Sequence, residues 1–159
     1  MALRGNRRRN ISVLKGFFAP IVFFFAFLLL SGSAAFGQIQ TRIRMIEASN
    51  VGSAVDPALR DVHNQLGSLF NFTSYRLLRD YSLSPSPNRP IEIQIHKAVV
   101  LELLLVKQRK KKAEFRVKIK REGTEILDTQ VRLSPGRTVL IGGPKHGQGT
   151  IILALSGDF

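Results

Sequence analysis

The chain has no cysteine. A disulfide framework, a thiolate nucleophile and a Cys-type zinc site are therefore all excluded, and so is a lipid carried on a cysteine at a processing site. Acids are missing from the first 37 residues, which hold Arg4, Arg7, Arg8, Arg9 and Lys15. Catalytic punctuation is missing too: neither a G-x-S-x-G elbow nor a G-x-x-x-x-G-K-[ST] phosphate loop occurs. The three histidines, His63, His96 and His146, and the scattered carboxylates show no metal-ligand spacing. No catalytic residue, metal or cofactor is assigned on these grounds, and no internal repeat is present.

What is there begins with a leader. After the acid-free basic stretch comes an apolar run, Phe17 to Leu30, and then the small-residue patch "SGSAAFG". That order is the order of a secretory signal, and Ala35 and Gly37 give the small-x-small spacing for a cut after Gly37. Residues 1–37 are thus expected to be a signal peptide and 38–159 a single β-rich domain, exported to the periplasm or beyond. The alternative is an uncleaved anchor in the inner membrane, since residues 11–36 are long enough to cross a bilayer. Arg8 and Arg9 leave twin-arginine export open beside the general route. Removing 37 of the 159 residues leaves 122, enough for one core. Five of the 24 basic residues and none of the 11 acids go with the leader, so the formal charge falls from +13 to +8.

From Gln38 onward the pattern alternates. Ile39, Thr41, Ile43 and Met45 fall on one face and Gln40, Arg42 and Arg44 on the other, the period of a half-buried strand. Asp56 and Pro57 then open a helix in which Leu59, Val62, Leu66, Leu69 and Phe70 recur at helical spacing. "FTSYRLL" follows as a strand and "SLSPSPNRP" as a loop. Six further strands are predicted beyond Pro90, ending in "TVLI" and "TIILALS". The fold class is α+β, mainly β: a β-α-β start and then a β-meander, forming an antiparallel sandwich or rolled sheet with one packed helix.

Between Leu103 and Val117 five of six consecutive residues are basic: Lys107, Arg109, Lys110, Lys111 and Lys112. Matching odd-numbered apolar residues across neighbouring strands places Leu103 opposite Phe115 and Ile119 opposite Thr129, which would set Glu102 beside Arg116 and Lys120 beside Asp128. The five basic residues then occupy a hairpin tip with no acid between Glu102 and Glu114. Their fields add over about one Debye length, which suits an anionic surface; lysines that merely keep a turn soluble are the alternative. No aromatic is interleaved to stack on bases, and nucleic acid is not an expected partner of an exported chain. "GGPKHGQG", with Gly142, Gly143, Lys145, His146, Gly147 and Gly149, is expected to be a flexible loop. "NFT" at Asn71 matches a glycosylation acceptor by pattern.

Two stretches resemble parts of bacterial outer-membrane secretins. "LRDVHNQLGSLFNFTSY" is similar to the helix and following strand of a secretin periplasmic domain, and "TVLIGGP" to a strand ending in Gly-Gly in the barrel region. The chain departs from that family in its length and in lacking the long barrel hairpins. The resemblance implies a place in envelope machinery. The expected function is a non-enzymatic binding or adaptor module of the cell envelope, its partner an envelope protein or an anionic envelope surface. A structural subunit of an envelope or secretion assembly, joined through a strand edge, is the alternative; an exported hydrolase using Ser or His is a third. Oligomeric state is not legible.

Overall fold

Every buried residue of the core between the sheets carries an odd number, from Ile39 to Leu155. Extended chain repeats every two residues, so all the strands that build this core keep one phase. A computed structural model of the chain describes residues 39–159. The expected signal or anchor, residues 1–37, lies outside the described residues. Among the described residues no helix is long and apolar enough to cross a membrane.

The strands are β1 (Gln40–Ser49), β2 (Ser74–Leu83), β3 (Pro90–His96), β4 (Val99–Arg109), β5 (Lys112–Arg121), β6 (Thr124–Leu133), β7 (Thr138–His146) and β8 (Gly149–Asp158). They form two antiparallel four-stranded sheets, ordered β2-β1-β8-β7 and β3-β4-β5-β6. The expected six-strand meander is therefore corrected: only β3 to β6 run as a meander, and β7 and β8 return to the first sheet, where β8 pairs along β1 from Gln40–Asp158 to Ala48–Thr150. Leu101, Leu103, Phe115 and Val117 of one sheet and Ile43, Met45, Leu153 and Leu155 of the other meet in a common core.

A single parity meets a geometric obstacle at each tight turn. Two-residue turns join Arg109 to Lys112, Arg121 to Thr124, His96 to Val99 and His146 to Gly149, so each pairs an odd position with an even one. Continued unchanged, that register would turn one strand's apolar face outward. Each hairpin instead carries one register shift close to its turn: at Leu105/Lys107, Ile119/Lys120, Gln94/His96 and Gly142/Lys145. The extra residue of a bulge restores odd against odd. Val106 and Ile126, 42% and 44% exposed, are the residues skipped in two of these shifts, which accounts for two large apolar side chains standing in solvent. The bulges also correct the expected register by two residues. Leu103 pairs with Val117 and Leu105 with Phe115, while Ile119 pairs with Leu127.

The first sheet is covered on its other face as well. Even-numbered Ile46, Ala48, Ile152 and Ala154 are buried there against Leu59, Val62 and Leu66. The helix expected from Asp56 to Phe70 is broken into a 3-10 turn, Pro57–Leu59, and a short α1, His63–Leu69. The Asp56 carboxylate caps the turn, accepting from Ala58 N at 2.9 Å, and Tyr75 closes the far end by donating its hydroxyl to Phe70 O at 2.8 Å. Between them, buried Arg44 donates to Ala58 O at 3.3 Å and to both oxygens of Asp61 at 2.7 Å. Val62 N bonds to Leu59 O, the tighter 3-10 spacing, beside the Ala58 carbonyl that accepts from Arg44. Leu69, expected on the buried stripe, is 61% exposed, because α1 ends there.

Candidate functional site

The β4–β5 tip stands at one end of the second sheet. β3 begins only at Pro90, opposite Leu104, and β6 ends at Leu133, opposite Ala113, so the hairpin projects past both neighbours. Lys107, Arg109, Lys110, Lys111 and Lys112 are all exposed. The bulge at Val106 has a second effect here: it brings Lys107 directly opposite Glu114, itself opposite Arg132, and Arg109 opposite Lys112. Two odd-numbered basic residues thus join the outer face rather than the core face. Lys107, Arg109, Lys112, Glu114 and Arg132 line a shallow cleft of about 230 Å³. Arg132 reaches Glu114 at 3.2 Å, leaving three cations there without an acid in contact. Arg132 carries no local signal in the sequence; only the β5–β6 pairing brings it to the tip.

The rest of this outer face is a lattice of compensated charge. Lys120 donates to Glu102 at 2.6 Å, Lys118 to Glu125 at 2.6 Å, and Arg116 to Asp128 through Nε at 2.8 Å and through a second nitrogen. The four residues expected to pair as Glu102–Arg116 and Lys120–Asp128 are all ion-paired, but as Glu102–Lys120 and Arg116–Asp128, both diagonal in a register that sets Lys118 opposite Glu102 and Asp128. The Arg116 guanidinium, by hydrogen bonding, pushes the Asp128 carboxyl down to about 2. Hydrogen bonds donated to Glu125 and Glu102 hold the Lys118 and Lys120 ammonium groups above the ordinary lysine range. Solvent screens exposed pairs of this kind, so the lattice sets surface charge more than stability. Among the described residues no carboxylate forms an ion pair with Lys107 or with the four basic residues from Arg109 to Lys112.

The glycine-rich candidate is corrected by the structure. Gly142, Gly143, Lys145 and His146 belong to β7, Gly149 opens β8, and only Gly147 and Gln148 form the turn. Gly147 has φ +57°, which favours glycine. Gly149 is needed for a different reason, since a Cβ there would lie 2.2 Å from Ala48 O on the neighbouring strand. His146 meets His96 across the two sheets with ring centroids 5.6 Å apart, while His63 lies exposed on α1. Among the described residues no group of three or more His, Asp or Glu is arranged to hold a metal. Asn71 is exposed, and the Thr73 hydroxyl of the same tripeptide donates to Gly52 O at 2.6 Å.

A larger open cleft of about 360 Å³ lies on the first sheet, lined by Gln40, Arg42, Ser82, Thr138, Ser156 and Asp158 among others. Ser82, Arg42, Ser156 and Thr138 are directly opposite one another in a row across all four strands. Arg42 donates through Nε to Asp80 at 2.9 Å, so the cation of this cleft is already neutralised. The chain matches no family model, no curated protein and no solved structure.

Proposed function

We propose that the chain is exported and that its β-rich domain is a non-enzymatic binding module of the cell envelope, contacting anionic surfaces through the β4–β5 tip. One observation carries this: the cations of the outer face from Arg116 to Lys120 each touch a carboxylate, whereas Lys107, Arg109, Lys110, Lys111 and Lys112 project together without an ion pair among the described residues. Uncompensated like charges packed within a Debye length cost self-repulsion, which an anionic partner relieves.

The test replaces Arg109 to Lys112 with Ser and Gln. Melting should stay within a degree or two, since an exposed turn contributes little packing. Co-sedimentation with vesicles containing phosphatidylglycerol should be lost at low salt, and binding of the unaltered protein should fall as salt rises. Equal sedimentation of the two proteins would make the tip a solubilising turn. A subunit role in an envelope assembly is the second reading, favoured by four strand edges, β2, β7, β3 and β6, that have no further neighbour among the described residues. Light scattering on the purified protein separates the two: a monomer at every concentration removes the assembly.

A further inference from the structure

Topology gathers at the tip end what no run of sequence gathers. Both segments that cross between the sheets, 84–89 and 134–137, lie there: β2 ends at Leu83 opposite Thr41, and β7 begins at Thr138 opposite Ser156. Arg89 and Arg137 are exposed in these crossings and belong to no ion pair among the described residues. With the five basic residues of the tip they make seven free cations at one end of the domain; the opposing acid without an ion pair is Asp158. The other end, with turns at Lys97–Ala98, Glu122–Gly123 and Gly147–Gln148, mixes signs and includes the Glu47–Arg76 pair. β1 also starts at the cationic end, with Gln40 opposite Asp158.

We propose that this whole end is a docking face for the phosphate headgroups of an anionic phospholipid bilayer, with the strands standing end-on and the start of β1 turned toward the membrane. The inference rests on the proposed anionic contact of the tip and extends it from one hairpin to a face built by both sheets. The cations are spread over a hairpin and two separate loops rather than converging in an enclosed pocket, an arrangement that matches a flat array of charges. Each Lys or Arg at such a surface multiplies partitioning by roughly five-fold.

The absence of cysteine makes the orientation measurable. Single variants Ser86→Cys, in the first crossing, and Gln148→Cys, in the far turn, each carry one fluorophore on the full exported protein, and the vesicles contain phosphatidylglycerol and a headgroup quencher. Quenching at position 86 without quenching at 148 is expected. A double variant Arg89→Gln/Arg137→Gln with an intact tip should bind about thirty-fold more weakly with unchanged melting, and Arg89→Lys/Arg137→Lys should bind as the unaltered protein does. Equal quenching at both positions, or full binding by the Gln variant while the tip variant fails, would overturn the docking face and leave the tip contact standing. No vesicle binding by the unaltered protein would overturn both when lipopolysaccharide micelles are not bound either. Binding to those micelles alone would remove the phospholipid bilayer as occupant and keep the anionic contact.

Discussion

The two sheets have the same number of strands and the same parity, yet an even-numbered position means opposite things in each. In the first sheet Ile46, Ala48, Ile152 and Ala154 are buried under the 3-10 turn and α1. In the second, Glu102, Arg116, Lys118 and Asp128 occupy the corresponding face and exchange ion pairs in solvent. The difference teaches that alternation fixes which residues share a face but not what covers it. It also bears on the proposed function: among the described residues no third layer covers the second sheet, and its outer face and protruding hairpin are exposed.

The largest effect that would break the comparison comes from a charge at matched positions. Ile152→Asp on the first sheet should prevent folding, as should Val117→Asp in the shared core, each placing an unpaired carboxylate where the native side chain is fully buried, at a cost above about 4 kcal/mol. Lys118→Gln, even-numbered on the second sheet, should leave the unfolding midpoint almost unchanged, because its ion pairs are exposed to solvent. Denaturant unfolding of soluble protein, or its absence from the soluble fraction, distinguishes them. An Ile152→Asp domain that folds normally would mean that the second face of the first sheet is not covered in solution.

A smaller effect tests how the covering layer is held. The Arg44 side chain is 2% exposed and that of its partner Asp61 is 58% exposed, so the two ends of this bidentate pair do not respond alike to loss of the other. Asp61→Ala leaves a buried guanidinium with only Ala58 O and should cost about 2 to 3 kcal/mol. Arg44→Met removes the buried charge and keeps much of the side-chain volume, and should cost less. Equal unfolding midpoint shifts in urea for the two variants would show that the pair does not pin the layer.

The smallest effect concerns pH and belongs to the open face. Asp128 ionises near 2 when folded against an ordinary 3.8, because Arg116 hydrogen bonds to it. A depressed carboxyl contributes stability that is fully present above its unfolded value and is lost as pH falls through the folded one, so the window here runs from about pH 4 down to about 2. Hydrogen bonds from Arg44 and Arg42 lower the Asp61 and Asp80 carboxyls as well, so these also lose stabilisation as pH falls. Asp128→Asn should lower the neutral-pH midpoint slightly and flatten part of the acid loss, the two proteins converging as pH approaches 2. An identical acid profile in the variant would remove the Arg116 bond from the stability of the sheet.

Some of the candidate site was legible. The five tip residues are consecutive or nearly so, and a run of like charge between alternating strands needs no tertiary knowledge to be placed on a turn. Arg132, Arg89 and Arg137 were not legible as members of that end, since each is separated from the tip by more than fifteen residues and joins it only through strand pairing or a crossing. The glycine-rich segment misled because Gly142 and Gly143 resemble loop residues, while the strand accommodates them beside its register shift between Gly142 and Lys145.

Composition and two-residue periodicity determined by themselves that this is a cysteine-free, mostly β domain behind an apolar leader segment, and which side chains of each strand share a face. Those properties are local: an extended chain alternates whatever its neighbours do. Register, sheet membership and cover were decided only by the tertiary structure. A one-residue bulge beside each two-residue turn is needed to satisfy the parity of a distant core. The return of β7 and β8 to β1, which makes β8 a strand covered on both faces, is a choice among pairings that alternation alone leaves equal. The same packing bends the helix expected over Asp56 to Phe70 around buried Arg44, because a guanidinium in the interior must find its carboxylate and carbonyl, and the backbone yields to it.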